Sequence, residues 1–170
     1  GAIAYRDGTN MRVNIFTTDT SGVITMGSQQ TVAIGSNFRG DKDQLAYFND
    51  NKFAVGYIKN GDNQNQTTNG CMRFCSVSGT TVTFGGEVVI RSAYTNGLQI
   101  ACDTSITDRV AAMFVTTDSG GYRTKVIAAT ITDVTPDFSG MTELTGDNGD
   151  SYSLAYHDQT CIATFKDHQN

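Results

Sequence analysis

The stretch Thr81 to Ile90 reads "TVTFGGEVVI": an alternating run, two glycines, then a second apolar run. Upstream, Gly22 to Ile34 reads "GVITMGSQQTVAI", with the same order of parts. An echo of this kind decides the fold, because a repeat makes the chain an array of copies of one unit.

Other landmarks recur in step with it. Leu45-Ala46-Tyr47, Ile100-Ala101-Cys102 and Leu154-Ala155-Tyr156 are short apolar strands whose central alanines lie 55 and 54 residues apart. A strand running into a turn recurs as Ala4-Tyr5-Arg6-Asp7-Gly8, Tyr57-Ile58-Lys59-Asn60-Gly61, Val115-Thr116-Thr117-Asp118-Ser119 and Thr164-Phe165-Lys166-Asp167-His168. The opening motif recurs as Ile24-Thr25-Met26-Gly27, Val82-Thr83-Phe84-Gly85 and a worn Pro136-Asp137-Phe138-Ser139, each behind an alternating strand.

A full unit therefore reads as four strands, A to D. In the second unit these span 44–48, 53–59, 71–77 and 81–90; in the third, 99–102, 109–117, 123–132 and 138–145. Gly85-Gly86 inside strand D predicts a bulge or a close backbone approach. Turns such as Ser78-Gly79 and Gly120-Gly121 join neighbours as hairpins. The units run approximately 1–42, 43–97, 98–150 and 151–170 within one repeat domain, 1–170. The first holds only B-C-D and the last only A-B. The fold class is all-β, with tandem four-stranded antiparallel units, about three to three and a half of them, in a propeller-like or open array.

Composition agrees. There are 24 Thr and 18 Gly, and 15 Asp against 2 Glu. Thr favours strands, Asp and Gly build turns, and the helix formers Glu, Lys and Leu are few. The formal net charge of -5 and pI near 4.8 argue against a nucleic-acid partner, which wants a basic face. No apolar stretch approaches the roughly 18 residues of a membrane-spanning helix, and no signal peptide is visible. Opening on Gly1 points to a processed form or a piece of something longer.

The run "AYRDG", an alternating strand, then "VTFGGEVVI" resembles the propeller-like tandem repeats of about 50 residues in tail-fibre and surface proteins of phages and bacteria. In that family the repeat reads as an aliphatic-Ala-Tyr strand, a D-G turn and a strand ending in Phe-Gly. Cys102 replaces the Tyr here, and Phe138-Ser139 replaces the Phe-Gly. The resemblance implies an extracellular, virion or cell-surface location and a structural role.

Catalysis finds little to work with. His157 and His168 both flank Asp-containing turns and read as exposed turn residues. No Ser or Cys sits in a nucleophile-elbow context. The aspartates fall where turns are expected, which explains them without a catalytic pair. Thr116 to Tyr122 resembles an Asp-box, itself a structural turn. Neither Asp147-Asn148-Gly149-Asp150 nor Asp62-Asn63-Gln64-Asn65 has EF-hand spacing. No catalytic, cofactor or metal site is expected.

Four cysteines occur at 71, 75, 102 and 161. On one strand, Cys71 and Cys75 would lie about 13 Å apart, beyond disulfide reach. Pairing across strands and buried thiols both stay open. Asn65-Gln66-Thr67 is a sequon, making Asn65 a glycosylation candidate. Seven tyrosines supply aromatics for cell-surface glycans, although Tyr47 and Tyr156, at a repeated position, read as core.

The expected function is a non-enzymatic structural or adhesive module that self-associates into a ring or filament. Its interface candidates lie in the incomplete end units: Ala2, Ile3, Ala4 and Tyr5 at one end, and Leu154, Tyr156, Ile162 and Phe165 at the other. The C-terminal A-B strands of one copy would meet the N-terminal B-C-D strands of the next. The alternative is a glycan-binding, propeller-like lectin domain.

Overall fold

The computed structural model describes residues 1–34, 44–49, 51–60, 68–92, 94–103, 109–118, 121–132, 135–143 and 150–166. Every regular element among them is a β-strand. The first sheet contains β1 (Ala2–Asp7), β2 (Asn10–Thr18), β3 (Ile24–Met26) and β4 (Gln30–Ile34). The second contains β5 (Gln44–Asn49), β6 (Lys52–Asn60), β7 (Thr68–Ser78), β8 (Thr81–Phe84) and β9 (Val88–Arg91). The third runs β10 (Thr95–Cys102), β11 (Arg109–Asp118), β12 (Gly121–Thr132) and β13 (Thr135–Glu143) in spatial order, and β14 (Asp150–His157) pairs with β15 (Thr160–Lys166) as a fourth.

All pairings are antiparallel, and most strands lie next to their neighbour in sequence; β4 and β9 instead pair back onto β2 and β7. Gly8 shows how a hairpin connection is made. With Asp7 paired to Asn10, only Gly8 and Thr9 turn the chain, and Gly8 sits at φ +59°, a conformation open to glycine without strain. Where the sequence has Gly85-Gly86, strand D of the second sheet breaks into β8 and β9, and both pair with β7. In the first sheet the same strand is split as β3 and β4, both paired with β2.

The sheets stack face to face. Along β6 the residues alternate between two cores, so the strand reads as a continuous apolar run rather than a half-polar one. Phe53, Val55 and Tyr57 pack with Met11, Val13 and Ile15 of the first sheet. Ala54 and Ile58 pack with Ile100, Val110 and Phe114 of the third. Gly56 lies on this second face, where a Cβ would stand 3.0 Å from Ile100 Cγ2 and 3.4 Å from Leu98 Cδ2. Its missing side chain lets β10 approach closely. The third sheet repeats the arrangement. Ala111, Met113 and Val115 are buried on its far side, where β14 lies against β10 and β11.

The all-β reading and the antiparallel tandem sheets stand as observed, with no closed barrel among the described residues. The expected core position of Tyr47 does not: the residue is 50 % exposed at the end of β5. Its partner Phe53 takes the core place instead. Tyr156 is half-buried.

Candidate functional site

Among the described residues, stacking leaves two sheet faces without a neighbouring sheet. Calling the side toward the next sheet forward and the opposite side rear, these are the rear of the first sheet and the forward side of the fourth. On β1, Ala2 and Ala4 point forward against the core of the second sheet, so these two interface candidates are internal. Ile3 and Tyr5 point rearward; Ile3 is 47 % exposed and Tyr5 half-buried. Paired residues share a face, so Phe16, Ile24 and Met26 join them. Ile24 and Met26 are 60 % and 50 % exposed, which makes an apolar patch of the kind associated with interaction surfaces.

Polar groups frame that patch. The Tyr5 hydroxyl donates to Asn14 Oδ1 at 2.9 Å and accepts from Gln29 Nε2. Asn14 Nδ2 donates to the Gly27 carbonyl at 3.2 Å, and Arg12 pairs with Asp7 at 3.3 Å.

At the other end, Leu154 pairs with Ala163 and Tyr156 with Cys161, forming the half-buried side of the fourth sheet. Ala155 pairs with Ile162 on the open side, and Ile162 is 60 % exposed. Phe165 belongs to β15 by its backbone, but its side chain is outside the described residues. Asp103, fully buried, anchors this hairpin by accepting from the Gln159 amide at 2.9 Å. His157 is exposed beside the turn, as expected. Asn65 and His168 lie outside the described residues.

Strand register shows what these faces have in common. In the second strand of each hairpin, the third residue past the partner of the central alanine is Tyr57, Phe114 or Phe165 (Ala46 pairs with Ala54, Ala101 with Ala111, Ala155 with Ile162). Tyr5 is the counterpart in the first sheet: it pairs with Arg12 and Thr25 with Thr17, as Tyr57 pairs with Cys71 and Thr83 with Ser76. Alignment by turn motif is therefore off by one residue outside the second unit. Tyr57 and Phe114 are both fully buried against the sheet before them.

Two clefts open between the first and second sheets. One, about 390 Å³, is apolar and bordered by Ile15, Leu45, Tyr47 and Phe53. The other, about 370 Å³, is charged and bordered by Lys59, Arg73 and Glu87. Tyr57 donates to Glu87 Oε2 at 2.7 Å, and Lys59 Nζ stands 3.3 Å from Oε1. Burial raises the Glu87 pKa, but the Tyr57 hydrogen bond, Lys59 and Arg73 outweigh it, and the carboxyl sits below its ordinary value. Burial, with Glu87 nearby, drives the Tyr57 phenol well above its usual range. Sequence reasoning missed this cluster, because Glu87 reaches Tyr57 across the Gly85-Gly86 break from 30 positions away.

All four cysteines are free thiols. Burial pushes Cys71, Cys75 and Cys102 up to about 12, which leaves them inert at neutral pH. Among the described residues no group of three or more His, Cys, Asp or Glu side chains is placed to hold a metal ion. No helix is long and apolar enough to cross a membrane, among the described residues. Compared with known proteins, no family, curated protein or solved structure matches the chain.

Proposed function

We propose that the chain is a non-enzymatic structural or adhesive module of an extracellular or virion-surface fibre or filament, and that copies associate head to tail through their end sheets. The observation that carries this reading is the register of Tyr5. Its counterparts Tyr57 and Phe114 are buried by the preceding sheet, whereas among the described residues no sheet covers Tyr5. The opposite end offers the matching half: Ile162 stands where Ala54 and Ala111 meet the next sheet. One chain thus carries both halves of a contact it already makes internally, the condition for a heterologous ring or filament. The resemblance to tail-fibre repeats supports the same role.

The contact is face on face rather than edge to edge. β1 and β15 both occupy the B position, so joining the two end units side by side would place two B strands in one sheet. Stacking requires no such duplication and covers Ile3, Ile24 and Met26.

Light scattering and negative-stain electron microscopy across a dilution series test the reading. Particles growing with concentration well beyond the 18.3 kDa chain are expected, with Ile162→Lys staying small while its circular dichroism is unchanged. A monodisperse monomer at every concentration overturns it. Deleting residues 151–170 should expose Ala111, Met113 and Val115 and cause aggregation; a folded truncation that assembles as before overturns the assigned role of the fourth sheet.

A further inference from the structure

The charged cleft carries an imbalance that assembly does not explain. Thr31, Val32 and Ala33 of β4 form one wall, and Lys59, Arg73 and Glu87 the other. Glu87 is matched twice, by the Tyr57 hydroxyl and by Lys59. Arg73 is matched by nothing comparable: its Nε is buried without a hydrogen-bond partner, and no ion pair reaches it among the described residues. A guanidinium held between two sheets with a donor unmade is unfavourable unless an acceptor arrives. The wall opposite adds no side-chain donor: Val32 and Ala33 pack into the core, and Thr31 Oγ1 is turned to Arg12 on the rear of the first sheet.

We propose that this cleft binds an oxyanion, a carboxylate or sulfate group, with Arg73 as the anchor. The planar guanidinium fork suits both groups. Lys59 adds positive charge beside it, so two cations face one carboxylate that is already engaged. The open cleft, about 370 Å³, accepts a body the size of a single sugar ring attached to that group. An acidic monosaccharide unit therefore fits both the charge and the space. Taking up the anion requires a small rotation of Arg73, since Nε is shielded as it stands. The proposal stands on residues between the first two sheets and is independent of what the end faces do.

Ligand-observed NMR on the full chain tests it, because the readout works for a monomer or an assembly. The probes are glucuronate, inorganic sulfate and acetate, with glucose as the neutral comparison. Line broadening of glucuronate, weakened by added salt and absent for glucose, is the expected result. Arg73→Gln should weaken binding at least tenfold, about 1.4 kcal/mol, while Tyr47→Ala in the apolar cleft should leave it unchanged. If Arg73→Gln fails to fold, Arg73→Lys keeps the charge but loses the fork and should bind more weakly than the parent. Glucuronate binding better than acetate assigns a sugar-borne group; equal binding of all three anions assigns the bare oxyanion. No response to any anion up to about 20 mM overturns the site, as does equal binding by glucose or by the folded Arg73 variants.

Discussion

Tyr57 and Tyr5 occupy the same register position in consecutive sheets, yet their surroundings differ almost completely. Tyr57 has no exposed surface, and its hydroxyl ends on a carboxylate. Tyr5 is half-buried, and its hydroxyl joins an amide network near the surface. Strand chemistry does not explain the difference, because both residues pair antiparallel with the next strand at the same place. What differs is whether a sheet stands in front. The second sheet has two neighbours and so has no solvent-facing side along β6, whereas the first and fourth each have one neighbour. In an array of this kind, position in the stack decides burial.

The largest test of that contrast is truncation of matched aromatics. Phe114→Ala should cost about 3–5 kcal/mol in chemical denaturation, as for a fully buried aromatic. Tyr5→Ala should cost well under half as much in dilute solution. Equal losses would mean that the rear face of the first sheet is covered in the isolated chain.

Next in size is overpacking. Gly56→Val must displace Ile100 and Leu98, for about 1–3 kcal/mol of destabilisation. Its register counterpart on the open face is Thr164, and Thr164→Val should be near neutral. A neutral Gly56→Val would show that the second and third sheets can move apart at little cost.

A smaller effect is expected from charge. Glu87 is held below its ordinary value in the fold, so its contribution is present above the normal carboxylate pKa and fades as pH falls through the lowered one. Glu87→Gln should therefore lose roughly 1 kcal/mol near pH 7, allowing for partial solvent screening, and little at strongly acid pH. A variant deficit that stays constant from pH 7 to about pH 2 would break this assignment.

The smallest effect concerns thiols. Cys161, only half-buried, should react first with a thiol reagent, and Cys161→Ser should change stability by less than about 0.5 kcal/mol. Cys71, Cys75 and Cys102 should stay protected until unfolding. Rapid labelling of Cys102 would mean that the third sheet separates readily from the second.

The strands were legible because period-two alternation and Gly-rich turns are local signals. Even the split of strand D could be anticipated from Gly85-Gly86. Register was less legible. Turn motifs mark where the chain reverses, but β1 and β2 are joined by two residues while β6 and β7 are joined by residues 61–67. Aligning by turns therefore shifted Tyr5 away from Tyr57 by one residue, and in a strand one residue exchanges faces. The same limit put Ala2 and Ala4 among the interface candidates although they face inward. The Tyr57–Glu87–Lys59 cluster joins two residues of β6 to Glu87 in the break between β8 and β9, and its sequence hint was that Glu is scarce, with 2 against 15 Asp.

The hairpin geometry at the two ends has a mechanical consequence. Ala2 pairs near one end of β2 and Asp7 beside the turn, while Lys166 pairs with Asp150 and His157 lies beside its own turn. Tension applied through both termini would load the bonds at the open mouth of each hairpin first, one rung at a time. The outer strands would then unzip in sequence at low force. The second sheet, clamped on both sides, would hold until its neighbours had been stripped away. A chain built this way yields progressively under load instead of failing all at once.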